Sequence, residues 1–128
     1  MNTTRFLTGA LAVLILAACS QSPDFEWRPY TAIDGDTIRV GGGGPNIRLA
    51  RIDAPELPGH CRRGRRCASG DPYASKAALQ ALLDAGLLVC ENVDRDFYRR
   101  RLAECSVNGR NLSDAMLSAG HAQLYRRR

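Results

Sequence analysis

The sequence predicts a small α+β domain, mainly β, on three observations. Strand-like runs recur at 27–33, 37–40, 46–52, 87–91 and 100–107. One helical stripe interrupts them between Pro72 and Gly86, and a second helix follows. From Cys19 onward there are 110 residues, enough for one core and one domain.

Residues 27–33 form the first strand, and Asp34-Gly35 is a turn signal. Thr37, Ile38, Arg39 and Val40 alternate as a half-buried strand does. Residues 41–44, all Gly, make a hairpin loop with Pro45. The strand at 46–52 has Ile47, Leu49 and Arg51 on one parity and Arg48, Ala50 and Ile52 on the other. Both parities carry apolar residues, so that strand must twist or bulge.

Residues 57–70 read as a long basic loop containing Gly. Asp71 then caps a helix and Pro72 fits its first position. Ala74, Ala77, Ala78, Ala81, Leu82 and Ala85 give its apolar stripe, with Leu79 and Leu83 beside it, and Gly86 is the stop. Residues 87–91 read as a buried strand. Its partner at 100–107 places Ala103, Cys105 and Val107 on the core face. Asn108-Gly109 turns the chain, Asn111 or Ser113 caps the last helix through Ala119, and Gly120 ends it.

The N-terminus stands apart from this pattern. After Arg5, residues 6–18 are apolar except for Thr8 and Gly9. That run is shorter than the roughly 20 residues a membrane-spanning helix needs, and it fits the apolar core of an export signal. It ends Leu16-Ala17-Ala18-Cys19, which resembles a bacterial lipobox, implying cleavage before Cys19 and acylation of its thiol and new amino terminus. The expected division is a signal peptide at 1–18, a tether at 19–25 and a folded domain at 26–128. Ser20 rather than Asp after the Cys implies the outer membrane in a Gram-negative source. With an ordinary signal peptide the product is periplasmic or secreted.

The sequence holds 17 Arg and one Lys, and losing Arg5 takes its formal charge from +5 to +4. The excess is clustered: Arg62, Arg63, Arg65 and Arg66; then Arg99, Arg100 and Arg101; then Arg126, Arg127 and Arg128. Such clusters suit a polyanion or anionic headgroups, and the terminal cluster reads as solvated surface. Cys61, Cys67, Cys90 and Cys105 remain after Cys19, an even number in a small exported domain, which argues for disulfides. Three pairings are possible. Cys61–Cys67 with Cys90–Cys105 is favoured, because the first closes a short loop and the second joins neighbouring strands. A zinc site would need tetrahedral convergence of thiolates from distant segments, and no Cys-x-x-Cys spacing is present.

Two acidic strings carry the chemistry: Asp34-Gly35-Asp36-Thr37 and Ile52-Asp53-Ala54-Pro55-Glu56, linked by Arg48-Leu49-Ala50-Arg51. Carboxylates without His or Cys suit a hard cation with oxygen ligands. Arginines beside them suit a phosphate, whose oxygens match the guanidinium fork. A metal and a phosphate clamp together make phosphodiester cleavage possible. A further arginine source follows in Asp96-Phe97-Tyr98-Arg99-Arg100-Arg101-Leu102-Ala103.

In this order and spacing, the strings resemble the staphylococcal (thermo)nuclease family. Its pattern is DGDT, then R-x-x-x-x-D-x-P-E, then D-x-Y-G-R-x-L-A, then G-x-x-(L/V)-(N/S)-x-x-(L/M) on a helix, and the likeness runs from about residue 30 to about 125. The resemblance implies that the strands close as a five-stranded OB-type β-barrel carrying two helices. The third, C-terminal helix of the family, past the position of Tyr125, is missing from this sequence.

The resemblance also assigns roles. Asp36, Asp53 and the backbone carbonyl of Ala54 would hold Ca²⁺. Glu56 would orient or deprotonate the attacking water, and Arg48 and Arg100 would bind the scissile phosphate. Tyr98 would hydrogen-bond a terminal phosphate and Asp96 would orient its turn. Asp34 and Thr37 serve the turn and the carboxylate beside it. One departure stands out: the family's Gly before its second Arg is Arg99 here, and Arg is strained wherever that Gly has positive φ.

His60 and His121 read as surface residues far from the acidic strings. The four consecutive glycines lack the Lys-Ser/Thr of a phosphate-binding loop and open no helix. The expected protein is thus a monomeric, exported, Ca²⁺-dependent nuclease for DNA and RNA that yields 3′-phosphates and is attached to a membrane through its lipidated N-terminus. The rival readings are a catalytically silent nucleic-acid-binding barrel and a structural envelope lipoprotein.

Overall fold

The computed structural model describes residues 30–96 and 98–125. The expected signal peptide, Cys19, the tether, the start of the first strand, Phe97 and residues 126–128 lie outside them. Strands β1 (Tyr30–Ala32), β2 (Thr37–Val40), β3 (Ile47–Leu49) and β4 (Ile52–Asp53) come first. Helix α1 (Pro72–Asp84) follows, then β5 (Leu88–Arg95), β6 (Arg101–Val107) and β7 (Arg110–Asn111). Helix α2 (Leu112–Ser118) and β8 (Gln123–Leu124) complete the described chain.

The main sheet runs β1-β2-β3-β6-β5, with β7 on β6, while β4 pairs with β8 separately. The pairings β1–β2, β2–β3 and β5–β6 are antiparallel. The pairing β3–β6 is parallel, setting Arg48 opposite Leu102 and Leu49 opposite Ala103. This parallel pair turns a three-strand meander into the OB-type order, and the sheet curls around its core as a half-barrel. That core is built from Ile38, Ile47, Leu49 and Ile52 of the early strands, Ala103, Cys105 and Val107 of β6, and Leu79, Leu83, Leu112 and Met116 of the helices.

The double-sided apolar pattern at 46–52 has a local cause. Arg51 takes a left-handed conformation, φ 68°. The strand breaks there into β3 and β4, and side-chain parity resets across the break. Ile47, Arg48, Leu49, Ala50, Ile52 and Asp53 are therefore all buried. Arg51 itself points outward, where its guanidinium binds Glu104 Oε1 at 2.5 Å and Asp114 Oδ1 at 2.9 Å.

Helix α1 starts as expected: Asp71 accepts from the backbone N–H groups of Tyr73 and Ala74, with Pro72 at the first position. Its buried face differs from the alanine stripe. Ser75, Leu79 and Leu83 are buried, whereas Ala77, Ala81 and Ala85 are exposed. Ala has too little surface to direct a helix, so the leucines decide its rotation. Strand β5 also departs from expectation. Only Leu88 is buried along it, and Val89 and Val93 are each 56 % exposed, because β5 lies at the sheet edge. Asn111 caps α2, accepting from the N–H of Asp114. Strand β8 carried no sequence signal of its own.

Both favoured disulfides are present, Cys61–Cys67 and Cys90–Cys105. The second joins residues directly opposite each other on β5 and β6.

Candidate functional site

The site forms where the Asp34–Thr37 turn, the end of β3, and β4 meet. The turn is drawn tight by the N–H of Ile33 donating to the Thr37 carbonyl, and by the N–H of Asp36 donating to Asp34 Oδ1. Gly35 lies against the first turn of α1, where a Cβ would stand 1.8 Å from Ser75 Oγ and 2.7 Å from the Ala54 Cβ. Any Cβ there would force the Ser75 and Ala54 side chains to shift. Ser75 Oγ is fixed by donating to the His121 carbonyl at 2.7 Å.

Asp36 is buried, 4 % exposed. Its Oδ2 accepts the N–H of Ala54 at 2.7 Å, and its Oδ1 accepts the Thr37 hydroxyl at 3.0 Å. The carboxylate thereby stitches the first acidic string to the second. Arg48, from β3, lies between the two. One guanidinium nitrogen pairs with Asp36 Oδ1, while Nη2 donates to Asp53 Oδ1 at 2.9 Å and to the Ile52 carbonyl at 3.3 Å. Among the described residues, no buried side-chain nitrogen or oxygen lacks a partner.

The second acidic string is also met from the loop that follows it. Asp53 Oδ1 also accepts from Arg65 Nη2 at 2.8 Å, and Arg65 Nη1 stands 3.3 Å from Glu56 Oε1. Thus the guanidinium of Arg65, from the loop closed by Cys61–Cys67, bridges Asp53 and Glu56.

The third string forms a tight turn around Asp96. Its Oδ1 accepts the N–H groups of Tyr98 and Arg100 at 3.0 and 2.9 Å, and its Oδ2 accepts Arg100 Nε at 2.6 Å. Arg99 has φ 61°, the left-handed conformation that the family's Gly would take without strain. Arg62 donates to the Tyr98 hydroxyl and stacks over its ring, 4.4 Å from the centroid. Arg100 lies 5.5 Å from the same centroid.

Charge ties the parts together. Burial pushes the Arg48 guanidinium below its ordinary pKa, helped by Arg100 and opposed by Asp53 and Asp34. Arg48 remains protonated all the same, given the height of a guanidinium pKa. Burial raises the Asp34 carboxyl, against the pull of Thr37, Arg48 and Arg100. Arg100 therefore acts electrostatically on the same cluster as Arg48, from an independent turn.

These observations bear on each expected site residue. Asp36, Asp53, Ala54 and Arg48 form one buried cluster, with Glu56 at its rim. Arg100, Tyr98 and Asp96 form the neighbouring turn. Asp34 serves the turn through its side chain, and Thr37 orients Asp36. His60 is exposed on the loop. Arg62 and Arg65 stood in the sequence only as members of a basic run. Their signal was placement, in a Cys-to-Cys loop directly after Asp-Ala-Pro-Glu.

Asp36 and Asp53 offer hard carboxylate oxygens of the kind a divalent cation takes, and Arg48 pairs with Asp36 Oδ1 and Asp53 Oδ1. Among the described residues, no group of three or more His, Cys, Asp and Glu side chains converges on one metal position.

A family model described as "Staphylococcal nuclease homologue" matches residues 46–128. The match takes in Arg48, Asp53, Glu56 and Arg100 and begins after Asp36. No curated protein matches the chain significantly.

Proposed function

The chain belongs to the staphylococcal nuclease family, and from that premise we propose that it is a Ca²⁺-dependent endonuclease, hydrolysing DNA and RNA to 3′-phosphate products. The observation that carries the reading is Arg48 joining Asp36 to Asp53 in one buried cluster.

Asp36, Asp53 and the Ala54 carbonyl are the residues that would hold Ca²⁺. When bound, the ion would supply Lewis-acid polarisation of a phosphoryl oxygen and would lower the pKa of nearby water. The chain's own groups do the rest. Arg48 and Arg100 bring two permanent positive charges to the phosphate and stabilise the charge that builds on its oxygens. Neither donates a proton, because an arginine stays protonated at any working pH. Glu56, at the rim of the cluster, orients a water for in-line attack and accepts its proton. The bond from phosphorus to the 5′ oxygen breaks, the leaving alkoxide takes a proton from solvent water, and the products are a 3′-phosphate and a 5′-hydroxyl. Tyr98 hydrogen-bonds a terminal phosphate, and Asp96 fixes the turn that presents both Tyr98 and Arg100.

Export with lipid attachment at Cys19 belongs to the same proposal. It is supported by the Leu16-Ala17-Ala18-Cys19 string and by two disulfides, which persist in oxidising compartments. Cys19→Ser should then move the protein from the membrane to the soluble fraction.

The deciding experiment incubates the purified chain with plasmid and with total RNA, with Ca²⁺ or with chelator. Cleavage of both with Ca²⁺ only is expected, with Glu56→Gln lowering turnover by orders of magnitude while Ca²⁺ binding persists. Activity indifferent to chelator would refute the cation assignment. Near-normal turnover in Glu56→Gln would remove Glu56 from the chemistry.

A further inference from the structure

The loop at 57–70 has no role in that mechanism, yet it reaches both halves of the site. Within it, the N–H of Arg65 donates to the Arg62 carbonyl, and Gly64 between them has φ 77°, so the chain reverses there. The reversal sends the two arginines to different targets. Arg62 goes to Tyr98, and Arg65 goes to Asp53 and Glu56. The Cys61–Cys67 bridge closes the base of this reversal across a separation of only 6 residues.

Arg65 contacts the same oxygens a cation needs. Its Nη2 is 2.8 Å from Asp53 Oδ1, the atom that also accepts from Arg48. Asp53 Oδ1 already accepts from both guanidinium groups, so a divalent ion there must displace one of them. At an effective dielectric near 20, like charges a few ångströms apart repel by several kcal/mol, enough to decide occupancy. Arg65 is also the one of the two arginines that can leave. Its side chain is 39 % exposed, against 10 % for Arg48. The Arg65 guanidinium can itself return to water at little cost, while the Asp53 carboxylate it leaves is only 8 % exposed and awaits another cation.

We propose that Arg65 is a built-in competitor of the divalent cation. It neutralises Asp53 and Glu56 and must be displaced for the ion to bind, and the Cys61–Cys67 bridge keeps it within reach. The inference rests on the reading of Asp36 and Asp53 as cation ligands. A tethered competitor acts at high effective concentration, so opening the tether weakens it without removing it.

The test measures Ca²⁺ affinity by calorimetry and Tb³⁺ affinity by luminescence on the purified full chain, without nucleic acid. Melting curves in chelator establish that each variant is folded. Arg65→Ala should tighten binding at least about tenfold, the gain expected from removing one nearby like charge. Arg65→Lys keeps the charge and loses the fork, and should gain less. Cys61→Ser with Cys67→Ser should give a smaller gain, which vanishes when Arg65→Ala is already present. A merely structural role for Arg65 predicts the opposite sign, because a loosened site binds more weakly. Unchanged or weaker affinity in Arg65→Ala, with wild type binding normally, overturns this inference alone. If neither wild type nor Arg65→Ala binds either ion, the cation reading and this inference fail together.

Discussion

Gly35 and Ser75 lie so close that a Cβ on Gly35 would stand 1.8 Å from Ser75 Oγ. The acidic turn is thus seated directly on the first turn of α1, and the position of Asp36 depends on it. Gly35→Ala should cost about 1–3 kcal/mol, the usual range for overpacking, measured by urea denaturation. Adding Ser75→Gly should recover only part, since the Ala54 Cβ would remain 2.7 Å away. An unaffected Gly35→Ala would mean that the contact is looser than described.

Arg99 and Arg100 should separate stability from turnover. Arg99 occupies a left-handed position, and Arg99→Gly should stabilise the protein by about 1 kcal/mol by relieving it. Arg100→Ala should lower turnover about 100- to 1000-fold, as loss of one charge-stabilising donor does. Initial rates on plasmid, with melting temperatures alongside, give both readouts. If Arg99→Ala abolishes turnover and Arg100→Ala does not, the assignment at this turn is wrong.

Arg51 is also left-handed, but it additionally holds Glu104 and Asp114. Arg51→Ala keeps the strain and loses the pairs. Arg51→Gly loses the pairs and relieves the strain, so it should be the more stable by about 1 kcal/mol. The pairs are partly exposed and worth no more than about 1 kcal/mol together with their hydrogen bonds. Arg51 holds the Glu104 carboxyl below its ordinary pKa. Its contribution is therefore complete above the ordinary carboxylate pKa and is lost as pH falls through the depressed one. Wild type and Arg51→Gly should converge in the pair contribution only in that acid range, which denaturation curves at stepped pH would reveal.

The disulfides should contribute unequally. Cys90–Cys105 spans 15 residues and Cys61–Cys67 spans 6. Because loop-closure entropy grows with length, replacing the first pair by Ser should cost about 3 kcal/mol and the second less. Denaturation midpoints of the two variants make the comparison. Non-reducing peptide mapping checks the pairing, and four alkylatable thiols in material from the cell envelope would refute it.

What the sequence revealed and what it hid follow a physical division. Signals within a few residues were legible: the Asp71 cap with Pro72, the Asn108-Gly109 turn, and the alternation that buries Ala103, Cys105 and Val107. The family was legible through the order and spacing of the three strings. The hidden features depend on distant partners or on one unusual dihedral. The left-handed Arg51 resets the strand without a glycine to announce it. Ser75 looks like an ordinary helix serine until Gly35 and His121 are brought to it. Strand β8 is defined by its pairing with the distant β4. Arg65 was one basic residue among several, and only the folded loop distinguishes it.

Asp34 gives the last prediction. Burial is the largest influence on its carboxyl and raises its pKa, although Thr37, Arg48 and Arg100 pull the other way. A carboxyl whose pKa is higher in the folded state binds its proton more tightly there. Ionised Asp34 therefore costs stability near neutral pH, and that cost fades as pH falls through the raised pKa toward the ordinary carboxylate range. Asp34→Asn keeps an oxygen to accept the N–H of Asp36, the bond that shapes the turn. The variant should be more stable than wild type at neutral pH, and the gap should close as the medium becomes acidic. Denaturation at pH 7 and at stepped values down to 4 makes the comparison. A variant less stable than wild type at pH 7 would mean that the charge of Asp34 is needed to hold Arg48 and Arg100, and that burial is the smaller influence.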